Sequence, residues 1–306
     1  MQISIVSPVY KAEKIVDELV RRIIESVSQI TEDFEIILVE DGSLDRSWES
    51  IERNCREDKR VKGIKLSRNF GQHCAITAGL KESKGDYVVV IDCDLQDDPS
   101  YIPEMYNKLC ENCDIVVARL QQRTHSFIRN IYSRTFAIVF NFLAENNFSS
   151  ASFGTFSIIK RKVVDAFCKI NDAERHYLFV LRWLGFKWGY IDVAQCKRFS
   201  GTSSYSFNKL CKHALGGIIS QSDKLLKSSI WLGFILAVFA LISFITLVTM
   251  YCISGFKEGW ASIACLILLT TGLLLMSNGV LGIYLAKTYE QTKNRPLYLV
   301  DEKVNF

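Results

Sequence analysis

Gly85-Asp-Tyr-Val-Val-Val-Ile-Asp-Cys-Asp-Leu-Gln-Asp-Asp-Pro99 decides the fold. Tyr87–Ile91 is a continuous apolar run, as found in strands buried on both faces of a parallel sheet. Two carboxylates, Asp92 and Asp94, stand one residue apart just past its end. At that spacing both reach one divalent ion. Hard cations such as Mg²⁺ and Mn²⁺ take carboxylate and water oxygens and keep substrate phosphates as further ligands. Asp98 is read differently, as the cap of a helix that Pro99 opens.

Working outward, strand-like and helix-like segments alternate. Ile3–Ser7, Glu35–Glu40, Val61–Leu66 and Ile115–Ala118 read as strands. Ile15, Val16, Leu19, Val20, Ile23, Ile24 and Val27 recur at helical spacing, and further helices fall around 45–55, 72–81 and 100–109. This βαβ order predicts a doubly wound, mostly parallel α/β sheet with ligands at the strands' carboxyl ends. Those ends carry Pro8-Val9-Tyr10, Glu40-Asp41-Gly42-Ser43, Ser67-Arg68-Asn69 and Asp92–Asp98. No glycine-rich phosphate loop is present, so a metal held by Asp92 and Asp94 is the expected means of binding phosphates.

The rest of the chain differs in kind. Of its 306 residues, 230–254 and 260–286 carry no Asp, Glu, Lys or Arg, while 61 of the 70 such charges fall in 1–229. Each stretch is long enough to span a bilayer. Trp231, Tyr251, Trp260 and Tyr284 lie near the ends, where amphipathic rings favour the interface. Lys224 and Lys227 precede the pair, and Lys287, Lys293 and Arg295 follow it. Two spans joined by residues 255–259 would then leave residues 1–229 in the cytoplasm. Ten scattered cysteines suit a reduced compartment. Cys110 and Cys113 read as two free thiols at a helix-to-strand junction. The N-terminus enters a strand without a signal-peptide pattern. A net charge of +4 is too small and dispersed to suggest nucleic acid.

Four stretches together resemble the GT-A domain of family 2 glycosyltransferases: SIVSPVYKAE at 4–13, VEDGSLD at 39–45, SRNFGQHCAITAGL at 67–80 and GDYVVVIDCDLQDDP at 85–99. With two C-terminal spans, the pattern is similar to the polyprenyl-phosphate glycosyltransferases, which include dolichyl-phosphate mannose synthase and the bacterial GtrB-like enzymes. The resemblance implies a GT-A domain over 1–200, an interface helix over 201–229, a membrane hairpin over 230–286 and a cytoplasmic tail over 287–306. It implies that Pro8, Tyr10, Glu13 and Asp41 hold the base and ribose of a nucleotide sugar. Asp92, Cys93 and Asp94 would hold its diphosphate, and Asp92, Asp94 and Gln96 a Mg²⁺ or Mn²⁺ ion.

On the acceptor side, residues 119–144 form a basic, apolar-rich stretch that reads as a helix at a membrane surface or as a core helix with a solvated basic face. Arg119, Arg129 and Arg134 from this stretch, with Arg198 and Ser203 from the RFSGTSSY segment at 198–205, are candidate ligands of a lipid phosphate. Glu174-Arg175-His176 resembles a further charged family motif. At 153–157, Phe-Gly-Thr-Phe-Ser stands where the family usually has Gly-Asp-Phe-Arg-Leu. Thr155 therefore occupies the position of an Asp near the catalytic centre, beside Asp94, and Ser157 replaces an Arg. The expected activity is inverting, metal-dependent transfer of a sugar from a UDP- or GDP-sugar to a polyprenyl phosphate, at the cytoplasmic face of a bacterial inner membrane. A hydroxyl acceptor on a lipid-linked saccharide and a non-catalytic nucleotide-sugar sensor stay open beside it. So do a homo-oligomer, the sugar and the base.

Overall fold

The computed structural model describes residues 2–120, 153–172, 175–194 and 259–306, and scattered positions between 226 and 253. Within 259–292 it describes only part of the side chains. Eight strands make one sheet, in the order β7-β5-β6-β4-β1-β2-β3-β8. They are β1 (Ile3–Val9), β2 (Phe34–Glu40), β3 (Val61–Leu66), β4 (Tyr87–Val90), β5 (Ile115–Leu120), β6 (Phe153–Lys160), β7 (Trp188–Val193) and β8 (Val300–Val304). The predicted parallel core is present: β1 pairs with β2 and β4, and β2 with β3, all parallel. β5 and β7 form a second parallel pair. β6 joins the two sets by running antiparallel to both β4 and β5. The sheet is thus mixed rather than purely doubly wound.

Side-chain chemistry explains the layering. β1 and β2 are buried at every residue, as strands covered on both faces must be. Helix α1 (Val16–Val27) buries Val16, Leu19, Val20, Ile23 and Val27 against the sheet. Its outward Arg21 and Arg22 pair with Glu18 one turn away. α2 (Ser47–Glu57) and α4 (Ile102–Cys110) pack beside α1's layer, whereas α3 (Gln72–Glu82) packs against α5 (Arg161–Lys169) and α6 (Tyr177–Trp183). Asp98 accepts the Ser100 N–H at 3.0 Å and caps a short 3-10 turn, Pro99–Tyr101, that leads into α4. Cys110, the last residue of α4, and Cys113, just before β5, are free thiols.

Two findings lie outside the sequence reading. β8 adds to the outer edge of β3, with Leu66 opposite Val300. Beyond it the Asn305 amide reaches the Val61 carbonyl at 2.8 Å. The sheet therefore belongs to a unit that takes in Arg295–Phe306, residues the sequence reading left as a tail. The second finding concerns the uncharged stretches. The described positions between 226 and 253 are all helical, and α7 runs Trp260–Thr292. Among the described residues, no helix is long and apolar enough to cross a membrane. The hairpin thus stays an expectation. The basic stretch beyond residue 120 and the segment 195–225 lie outside the described residues.

Candidate active site

The carboxyl ends of β2, β3 and β4 are joined by one loop. β2 ends at Glu40, whose carboxylate accepts the Gly42 N–H at 3.2 Å and that of Ser43. Asp41 is buried. Its Oδ1 accepts the Phe70 N–H at 2.7 Å and its Oδ2 the Gly71 N–H at 2.9 Å. Burial pushes the Asp41 pKa up, against the two amide donors, and the Glu40 charge adds to the rise. Gly42 has φ +63, and a Cβ there would stand 2.3 Å from the Arg68 carbonyl carbon and the Asn69 nitrogen. Only glycine lets the two loops lie in contact.

The same loop then turns to β4. Gly71, at φ +97, opens α3. Gln72, the first residue of that helix, donates its amide to Asp92 Oδ1 at 2.6 Å. β6 lies against β4 with Ser157 opposite Val90, which puts Thr155 beside the exit of β4. Thr155 Oγ1 donates to the same Asp92 Oδ1 at 2.7 Å. Asp94 Oδ1 accepts the Gln96 N–H at 3.1 Å across Leu95, whose φ is +56.

These carboxylates build a negative field. Burial first, then the charges of Asp92 and Asp94, push the Asp97 pKa up to about 7. Burial also pushes the Cys93 thiol up to about 12, so it is protonated and unreactive at neutral pH. Among the described residues, no three His, Cys, Asp or Glu side chains group to hold a metal by themselves. Two carboxylates one residue apart still fit a hard dication that takes its other ligands from substrate phosphates and water.

The other predicted residues are placed as follows. Pro8 is buried in β1 opposite Val39, and Tyr10 is exposed just beyond, with the Lys11 ammonium 5.3 Å from its ring centroid. Glu13 turns its carboxylate to the Arg46 N–H at 3.2 Å, at the start of α2. Arg119 forms a two-point ion pair with Asp192, its register partner on β7, at 2.6 and 2.9 Å. Arg129, Arg134, Arg198 and Ser203 lie outside the described residues. Arg175 lies buried, giving Nη2 to the carbonyls of Phe167, at 2.7 Å, and Ile170.

Several contributors carry no role in the sequence reading. Gln72 and Asp97 are the main ones. The signal for Gln72 was its place, the first helical residue after a Gly at a strand end. Ser157 Oγ lies 2.9 Å from the buried Tyr177 hydroxyl and donates to the Thr155 carbonyl at 2.9 Å. The Tyr177 N–H in turn donates to His73 Nδ1 at 3.4 Å. Thr155 and Ser157 are thus both hydrogen-bonded within the fold.

The chain matches known proteins over most of its length. The family described as "Glycosyl transferase family 2" matches residues 4–167. An uncharacterised glycosyltransferase of Bacillus subtilis (strain 168), YkcC, is 33% identical over 304 residues, covering 99% of this chain and 94% of its own. The undecaprenyl-phosphate 4-deoxy-4-formamido-L-arabinose transferase of Proteus mirabilis (strain HI4320) is 28% identical, covering 99% of this chain and 94% of its own. Among solved structures, glucosyl-3-phosphoglycerate synthase from Mycobacterium tuberculosis, in complex with Mn²⁺, UDP-glucose and phosphoglyceric acid, superposes with a TM-score of 0.53 at 16% identity. The match covers 72% of this chain and 79% of that one. It is a likeness of fold, that of a GT-A α/β domain.

Proposed function

Because this chain belongs to glycosyl transferase family 2 and is a glycosyltransferase, we propose that it moves a sugar from a nucleotide sugar to a polyprenyl phosphate. The transfer is inverting and metal-dependent, and takes place at the cytoplasmic face of a membrane. One observation carries the reading: the loop Phe70-Gly71-Gln72 ties Asp41, at the end of β2, to Asp92, at the end of β4. A nucleotide lying across those ends meets one rigid edge.

In that site Pro8, Tyr10, Asp41 and the nearby Glu13 flank the base and ribose, and the Asp92–Gln96 turn takes the diphosphate. Asp92 and Asp94, with Gln96 alongside, would hold Mg²⁺ or Mn²⁺. When bound, the ion neutralises the charge that develops on the leaving diphosphate. The protein's own part is orientation, since the Gly42 and Gly71 turns keep both carboxylates in place before the donor arrives.

Position 155 supports the choice of acceptor. A threonine hydroxyl titrates far too high to act as a base, and this one is a donor to Asp92. A phosphomonoester has a second pKa of about 6 and arrives as a dianion. It needs no base, whereas a sugar hydroxyl does. The named acceptor of the undecaprenyl-phosphate relatives is of this kind.

Exposed apolar side chains support the membrane reading. Trp231, Phe234, Phe239, Ile242 and Ile253 are exposed on the first helical stretch, and Leu266, Ile267, Leu274, Leu275 and Leu281 on α7. Surfaces of that size are rarely left to water. Arg119 and, beyond the described residues, Arg129, Arg134, Arg198 and Ser203 are the proposed contacts for the lipid phosphate.

The test uses the purified full chain with Mg²⁺ or Mn²⁺, radiolabelled UDP- and GDP-sugars, and undecaprenyl phosphate. The expected result is an organic-phase product that releases its sugar in mild acid. No such product with any donor, under conditions where a known polyprenyl-phosphate transferase works, overturns the reading. A product stable to mild acid moves the acceptor to a hydroxyl.

A further inference from the structure

Asp92 is braced in a way the family's metal motif does not explain. Two neutral donors, from different parts of the fold, converge on one of its oxygens. Gln72 Nε2 reaches Oδ1 at 2.6 Å from the first turn of α3, and Thr155 Oγ1 reaches it at 2.7 Å from β6. Both distances are short, as expected of hydrogen bonds to a charged acceptor. Each donor is itself held. Gly71, next to Gln72, is fixed by Asp41 at 2.9 Å. The β6 backbone at Thr155 takes a hydrogen bond from Ser157 Oγ, which also meets the buried Tyr177 hydroxyl.

We infer that Gln72 and Thr155 are a pair of positioning residues that lock the Asp92 carboxylate in the orientation in which it takes the divalent cation. The inference rests on the proposed metal-dependent reading and adds a role for position 155. In a carboxylate-rich turn, an Asp at 155 would set a second negative charge against Asp92, whereas a hydroxyl supplies a donor. Thr155 is then an outer-shell support for a ligand, which typically tunes metal affinity rather than performing chemistry. The two donors share one oxygen, so their removal is coupled rather than additive.

The experiment titrates the full chain with Mn²⁺, in the presence of UDP and separately of GDP, and follows unbound Mn²⁺ by electron paramagnetic resonance. Thr155→Val keeps the shape and removes the hydroxyl; Thr155→Ser restores it; Gln72→Met keeps length and removes the amide. Thr155→Val and Gln72→Met should each weaken Mn²⁺ binding roughly tenfold to a hundredfold. Thr155→Ser should stay near the wild type, and the double variant should lose less than the product of the single losses. In transfer assays the KM for Mn²⁺ should rise more than kcat falls, a split that general loosening of the fold would not produce. Wild-type affinity in both single variants overturns the inference and leaves the metal reading intact. No Mn²⁺ binding by the wild type overturns both. A loss in Thr155→Ser equal to that in Thr155→Val overturns it too, by showing that packing and not the hydroxyl matters.

Discussion

Asp41 and Asp92 close the two strands that flank β1, yet different parts of the chain hold them. Asp41 takes two backbone N–H groups, from Phe70 and Gly71, while Asp92 takes two side chains, from Gln72 and Thr155. Backbone donors are fixed by the path of the loop and survive almost any substitution. Side-chain donors can be exchanged one at a time. The difference places adaptability: the Asp41 end is built into the loop, and the Asp92 end can be tuned at single positions. Thr155 belongs to the tunable end.

The largest effect expected is at the tunable end. Asp92→Ala should slow transfer by on the order of a thousandfold, the scale of losing an ion's charge stabilisation. Its metal-free melting temperature should fall little, because the loss of an acceptor for Gln72 and Thr155 is offset by removing a charge that faces Asp97. Initial rates and calorimetry on the same preparation check this, and a large drop in melting temperature would make Asp92 a structural residue instead.

At the built-in end the order of effects reverses. Gly42→Ala should cost about 3 kcal/mol of stability, because a Cβ at φ +63 meets the Arg68–Asn69 backbone 2.3 Å away. Asp41→Ala leaves two amides short of a partner, at about 1–3 kcal/mol each. Denaturant melts report both. Unchanged midpoints would show that the loop does not depend on that carboxylate.

The last effect depends on pH. Asp97 has a folded pKa of about 7, above the unfolded value of 3.8. Between those values the folded state binds more protons. The wild type's stability is therefore favoured at and below pH 4 and falls as pH rises through 7. Asp97→Asn should remove that slope and gain on the wild type, by at most about 4 kcal/mol near pH 8. Mn²⁺ should shrink the gain by neutralising Asp92 and Asp94. A difference that stays flat from pH 4 to 8 would rule out this account of Asp97.

The sequence made the all-parallel region readable to within two residues at most ends. Its strands are short, buried on both faces and linked by local helices, so each pattern sits within one window. Val61–Leu66 came out with its observed limits, and Tyr87–Ile91 one residue longer than β4. The antiparallel members were hidden. β6 reads as motif residues, and its place between β4 and β5 depends on partners tens of residues away. β8, Val-Asp-Glu-Lys-Val, has no buried face to mark it; its charges suit an outer edge that should not pair with another chain. For the site, Asp41, Asp92 and Asp94 were visible at strand ends. Gln72 was not, because nothing in its own neighbourhood says which carboxylate its amide will meet.

β8 also sets a timetable. The pairing of Leu66 with Val300 spans more than 200 residues. At about 5–20 residues per second of synthesis, the flank of β3 waits roughly 10–50 s for the strand that covers it. The last part of that interval goes to making the uncharged stretches 230–254 and 260–286. The unit that carries Asp41 and Asp92 is thus completed last, by its most distant segment. A nascent chain stalled within α7 would present an open sheet edge to chaperones and proteases.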